Sequence, residues 1–159
     1  MINFLFAMLL LSATSVVVAQ PDAVKPEIKF LYMSGTGCGP CEFWLAEELP
    51  KLQKTDVYKH IKYYTINKSI RSSVPPRFFL HNDLKPLKEE LDRASGGQTG
   101  SAQTVILVNG KVYDYAFGSP AVDDLRVTFE ALLAGKASPF PRCTLRKNGF
   151  CAEQVEPKL

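Results

Sequence analysis

The sequence is short of the residues that several functions require. It holds only two histidines, His60 and His81. Neither has a second ligand at metal spacing, so both read as surface residues and no metal site is expected. No Lys or Arg run is interleaved with aromatics, and the net charge is a modest +3. Nucleic-acid binding is therefore without support. Internal repeats and low-complexity tracts are missing too, and 159 residues is the size of one domain with an ordinary core.

Charge is absent from the start of the chain. Residues 1–20 contain no Lys, Arg, Asp or Glu, and residues 4–11 are almost continuously apolar. Val17-Val18-Ala19 ahead of Gln20 fits a small-residue cleavage site, so 1–19 are expected to be a signal peptide. Its n-region carries only the terminal amine. An uncleaved anchor is the rival reading. It is disfavoured because Ser12, Thr14 and Ser15 interrupt the run, and a span needs about 20 apolar residues. No cysteine stands at the cleavage point, so a lipid-modified cysteine is not expected. Both readings put the rest of the chain in the periplasm or another extracytoplasmic space, where disulfides persist.

Of four cysteines, two form the stretch Cys38-Gly39-Pro40-Cys41. The apolar run 28–33 precedes it and reads as a buried strand. Ser34-Gly35-Thr36-Gly37 is a short connector. From Cys38 to about Lys54 the spacing is helical, with Pro50 set to kink or end the helix. The first cysteine thus sits at a helix N-terminus, where unpaired N–H groups and the helix dipole favour a thiolate. A structural disulfide or half a metal site is the blander reading. Zinc would want a second CxxC, but Cys143 and Cys151 have seven residues between them.

Residues 60–67 read as a second strand, parallel to the first because a helix joins them. Residues 68–100 are harder. Pro75-Pro76 breaks what precedes it, Phe78-Phe79-Leu80 is a short apolar run, and 84–94 reads as a helix with Leu84, Leu87 and Leu91 on one face. Strands over 104–108 and 111–117 flank Asn109-Gly110, a type I′ hairpin turn. Ser119-Pro120 is expected to open a last helix, with Ser119 as its cap, and Gly135 to stop it.

A β-α-β unit carrying Cys-Gly-Pro-Cys, followed by a hairpin and a helix, resembles the thioredoxin-like family. The resemblance covers about residues 28–133 and is carried by the Gly-Pro dipeptide and the hairpin at 106–118. It implies an α/β fold of three layers, a central mixed β-sheet with flanking helices. The organisation expected is a signal peptide or anchor over 1–19, a thioredoxin-like domain over 20–135 and a tail over 136–159 with a Cys143–Cys151 hairpin. The resemblance makes Cys38 the exposed nucleophile and Cys41 the buried resolving thiol, positioned by Gly39 and Pro40.

Three positions depart from the family. Tyr32 stands where an acidic residue relays a proton, and Gly37 where an aromatic precedes the first cysteine. No proline lies between Pro86 and Pro120, so Thr104 or a neighbour takes the place of the facing cis-proline, in a bond expected to stay trans. The alternative is Pro76, with 78–80 as a core strand. Thr104 is preferred because the hairpin and last helix then follow directly.

The function this implies is thiol–disulfide exchange on protein thiols or disulfides, towards reduction, with no bound cofactor and a membrane or soluble redox partner. The protein is expected to act as a monomer. The alternative is a non-catalytic binding or assembly module of the same fold. Cys143 and Cys151 are expected to form a structural disulfide, a second redox relay being the sharper alternative. Trp44 reads as helix packing, Glu42, Glu47 and Glu48 as a solvated face, and Arg142 and Arg146 as part of a soluble rim.

Overall fold

The computed structural model describes residues 25–157. The leader expected over 1–19, the first residues of the 20–135 unit and the last two of the tail lie outside the described residues.

Strand β1 (Ile28–Gly35) is buried along its whole length, as a strand covered on both faces must be. It pairs in parallel with β2 (Lys62–Lys68) and antiparallel with β3 (Gln103–Val108). β3 pairs antiparallel with β4 (Lys111–Phe117), giving the order β2-β1-β3-β4. Residues 60 and 61 stay out of β2, because Asp56–His60 forms a 3-10 turn first.

The helix expected over 38–54 is built from α1 (Gly39–Phe43), a π-helical turn (Trp44–Glu48) and α2 (Leu49–Gln53). Pro50 has no N–H, and its ring would strike a carbonyl one turn back. The wide turn just ahead of it relieves both.

Side chains alternate across the sheet. Phe30, Tyr32 and Ile106 pack with Trp44, Leu52 and Phe129, the last from α4 (Val122–Leu133). On the other face Leu31, Met33, Val105 and Leu107 pack with Leu84, Leu91 and Ala94. Here lies α3 (Lys88–Ser95), preceded by a 3-10 turn at Lys85–Leu87. The helix expected over 84–94 therefore starts late, because Pro86 tightens its first turn. The result is three layers around a central mixed sheet. The stretch 68–100 supplies the third layer. The core strand weighed for 78–80 is absent: Arg77–Phe79 is a 3-10 turn at the surface, and only Leu80 turns inward.

Asn109 and Asn148 both have φ +51°, followed by Gly110 and Gly149 at +77° and +85°, as type I′ turns require. The second turn joins β5 (Arg142–Lys147) to β6 (Phe150–Val155). This hairpin covers the free edge of β4. Arg142 Nη1 donates to the Tyr113 carbonyl at 3.1 Å and Arg146 Nε to that of Tyr115 at 2.8 Å. Arg142 also lies over the Tyr113 ring. The two arginines expected on a soluble rim instead satisfy the carbonyls of an edge strand.

Candidate functional site

The cysteine pair lies where β1 leaves the sheet. The amide of Cys38 donates to the Gly35 carbonyl at 3.0 Å, folding the connector tightly onto the end of β1. Cys38 is the N-cap of α1. Its carbonyl accepts from the amides of Cys41 and Glu42, and its sulfur accepts from the Cys41 N–H at 3.3 Å. Pro40 stands in the first turn, where its missing N–H costs no hydrogen bond. The two sulfurs are bonded, with Cα atoms 5.2 Å apart. Cys38 keeps 8% of its surface in solvent and Cys41 none. Gly39 and Pro40 are exposed, and a side chain added at Gly39 would meet nothing. Cys38, expected as the exposed nucleophile, is thus largely covered in the bonded pair, and the solvent-facing residues beside it are Gly39 and Pro40.

Under the pair lies an aromatic and hydroxyl cluster. The Tyr32 ring stacks on Trp44, and its hydroxyl pairs with Ser119 Oγ. Trp44 Nε1 donates to the Pro120 carbonyl at 2.8 Å. Trp44 is packed as expected, and its indole N–H ties the cysteine-bearing helix to the β4–α4 loop. The same contacts correct the expected helix cap. The Ser119 hydroxyl is engaged by Tyr32, so α4 begins at Val122 with Ala121 as an N-cap that has no side-chain bond. Burial raises the pKa of the Tyr32 phenol, and the Ser119 hydrogen bond offsets only part of that. Its proton stays on at neutral pH.

Thr104 lies inside β3, buried, opposite Tyr32 on one side and Ala116 on the other. The residue immediately before this strand is Ala102. It packs in the same cluster as Cys38 and Cys41 and accepts from the Gly118 amide at 2.9 Å. The Ser101–Ala102 peptide is cis, contrary to the trans bond expected there. Nothing in the sequence marks a cis bond without proline, so Ala102 was not legible as a site residue. Pro76 caps the surface turn at Arg77–Phe79 and does not precede a strand.

A parallel β-α-β unit, an antiparallel hairpin beside it and a cysteine pair at the end of the central strand decide the architecture. The fold is thioredoxin-like. No family model and no curated protein matches the chain. Among solved structures, the chain is similar to the periplasmic thioredoxin SoxS from Paracoccus pantotrophus in its reduced form. The two are 19% identical, with 68% of this chain and 97% of that one covered and a TM-score of 0.43. It is also similar to StoA from Bacillus subtilis, at 14% identity over 64% of this chain and 81% of that one, with a TM-score of 0.34.

Two hollows adjoin this thioredoxin-like core. One, of about 380 Å³, lies beside the cysteine loop, between Thr36, Lys68 and the Pro75-Pro76-Phe79 turn. The other, of about 290 Å³, lies under the tail hairpin, against Asp114 and the bonded pair Cys143–Cys151. Asp114 accepts from the Cys143 amide at 2.7 Å. Burial nonetheless holds its pKa above the ordinary carboxylate value. His60 and His81 are exposed and apart. Among the described residues no helix is long and apolar enough to cross a membrane.

Proposed function

We propose that the protein carries out thiol–disulfide exchange on protein substrates outside the cytosol, through Cys38 and Cys41. One observation carries the reading. Cys38 caps a helix with the Cys41 N–H directed at its sulfur, while Cys41 is sealed beneath it. Negative charge on the Cys38 sulfur is stabilised by that N–H and by the helix dipole.

In the reducing direction, the Cys38 thiolate attacks one sulfur of a substrate disulfide. A Cys38–substrate bond forms, the substrate S–S bond breaks, and the second substrate sulfur leaves as a thiolate. Cys41 loses its proton to solvent and attacks the Cys38 sulfur, which releases the first substrate sulfur. Two electrons pass to the substrate and the Cys38–Cys41 bond remains. A dithiol partner, soluble or at the membrane, restores the reduced pair. Gly39-Pro40 favours the reducing direction, and no cofactor takes part.

The expected leader over 1–19 supports the compartment. Cys143 and Cys151 are proposed as a structural bridge holding the tail hairpin on β4. The test is disulfide reduction by the purified protein and by Cys38→Ser. Turnover by the wild type that vanishes in the variant is expected. Equal activity in both, or none in either, favours the non-catalytic binding module instead.

A further inference from the structure

Lys68 is the feature that the exchange chemistry does not use. It ends β2, opposite Gly35 of β1, and its carbonyl accepts from the Thr36 amide at 3.4 Å. It is therefore fixed to the connector that carries Cys38. Only 5% of Lys68 is exposed. Its ammonium donates to the carbonyls of Ser72 at 2.7 Å and Gly100 at 2.6 Å. A lysine has three N–H donors, so one remains, and no carboxylate pairs with it among the described residues. Burial pulls its pKa below the ordinary lysine value with no counter-ion to restore it. A buried ammonium without an anion is costly and marks a place where a partner brings one.

Lys68 also lines the hollow beside the cysteine loop, with Thr36, Ser72, Pro75, Pro76 and Phe79. The far wall of this hollow is apolar. Phe79 is 67% exposed and its neighbour Phe78 83%. A bare aromatic ring in a hollow that also touches the cysteine connector at Thr36 matches the anatomy of a docking surface. Residues 68–82 contribute Lys68, Arg71 and Arg77 and no Asp or Glu. Arg77 reaches Glu89 only at 3.8 Å, across exposed side chains. Of the residues that line the hollow, Lys68 alone is charged, so the hollow is apolar on one side and carries one cation among neutral polar groups on the other.

We propose that this hollow holds the stretch of the substrate polypeptide next to its reacting cysteine, and selects a stretch bearing an apolar side chain and a carboxylate. The apolar group lies on Phe79, Pro75 and Pro76. The carboxylate takes the free donor of Lys68. The inference rests on the exchange reaction proposed for Cys38, which requires a polypeptide to pass over this loop. It adds which polypeptides are preferred.

The test uses the pre-reduced protein in single turnover on three short peptides, each with one cysteine linked by a disulfide to 2-thiopyridine. The cysteine is flanked by Phe and Asp in the first, Phe and Lys in the second, and Gly and Asp in the third. Release of thiopyridone reports the rate. The Phe–Asp peptide is expected to react about tenfold faster than the Phe–Lys peptide at low salt, the worth of one charge-assisted hydrogen bond. Ratios are taken within one protein, so a general loss of reactivity cancels. Lys68→Met is expected to bring the Asp/Lys ratio close to one. Phe79→Ala, at an exposed position that the fold does not need, is expected to remove the preference for Phe over Gly. Equal rates on all three peptides with the wild type overturn the proposal and leave the exchange reaction standing. So does an Asp/Lys ratio that survives in Lys68→Met, or a Phe/Gly ratio that survives in Phe79→Ala. Absence of thiopyridone release from every peptide overturns the exchange reading and the proposal together.

Discussion

The rings of Tyr32 and Trp44 stack with centroids 4.3 Å apart and planes inclined by 8°. Each then uses its polar end on the same loop: Tyr32 on Ser119 Oγ at 2.6 Å, Trp44 on the Pro120 carbonyl. The central strand, the cysteine-bearing helix and the β4–α4 loop are thereby joined at one point. A neutral aromatic joint occupies the position where the family resemblance led us to expect an acid. Rigidity under the cysteine pair is gained there, and a proton acceptor is given up.

Tyr32→Phe separates these two roles. It keeps the stack on Trp44 and removes only the hydroxyl. Ser119 is exposed, so water replaces the lost partner and the expected cost is about 1 kcal/mol in urea unfolding. Because the phenol stays protonated at neutral pH, the pH dependence of disulfide exchange is expected to keep its shape. Trp44→Ala opens a cavity in the same cluster and is expected to cost about 3–5 kcal/mol. A changed pH profile in Tyr32→Phe means that the hydroxyl does handle the proton of the resolving thiol.

The cysteine setting was legible in the sequence because it is local. A buried strand, a small connector and a helical spacing lie within 26 consecutive residues of one another, 28–53, and both Asn-Gly turns announce themselves by chemistry. The third layer was legible in part: the apolar face of Leu84, Leu87 and Leu91 announced a helix, but not what it covers. Leu84, Leu91 and Ala94 face a sheet already buried on its other side, and the helical spacing does not report which face of the sheet the segment covers or that Pro86 shortens its helix. Ser119 shows the same limit. Ser-Pro before an amphipathic run is a sound capping signal, but a tyrosine 87 residues away takes the hydroxyl first. Ala102 and Lys68 gain their positions only from strand pairing across the fold.

Gly96 is a position where a side chain has no room. It follows α3 at φ +56°, and a Cβ there would lie 1.9 Å from the carbonyl oxygen of Arg146 in β5. The obstacle is backbone, so no rotamer change relieves it. Gly96→Ala is expected to destabilise by roughly 2–4 kcal/mol, combining left-handed strain with overpacking. Hydrogen exchange is expected to show the loss first in β5 and β6, since that hairpin must move away from α3. Unchanged protection there removes the contact between Gly96 and Arg146 from the account.

The bridge Cys143–Cys151 is expected to stabilise without taking part in exchange. It spans eight positions in sequence, and closing so short a loop is worth about 2–3 kcal/mol in the chain-entropy model. The double substitution Cys143→Ser with Cys151→Ser should lower urea stability by about that amount. Single-turnover exchange at Cys38 should keep its rate at temperatures where the variant is folded. A slowed re-oxidation or re-reduction of the Cys38–Cys41 pair in that folded variant identifies the tail cysteines as a second relay.

Asp114 makes the last prediction, on pH. Its carboxyl is held above the ordinary value of 3.8, mainly by burial. The amide of Cys143 and the nearby guanidinium groups of Arg146 and Arg142 offset only part of that effect. In the unfolded chain the group ionises at its ordinary value; in the folded protein it keeps its proton to a higher pH. Between those two values the folded state binds more protons, so stability falls as pH rises through the window. Below the window both states are protonated and the difference vanishes; above it the full cost of the buried charge is present. Asp114→Asn keeps an oxygen to accept from Cys143, and carries no charge. Urea unfolding of the variant is therefore expected to show a flatter pH dependence just above the ordinary carboxylate range, and no loss of stability at neutral pH relative to the wild type. A variant less stable at pH 7 than at pH 3, relative to the wild type, would mean that Arg142 and Arg146 draw more from the ionised carboxylate than burial takes away.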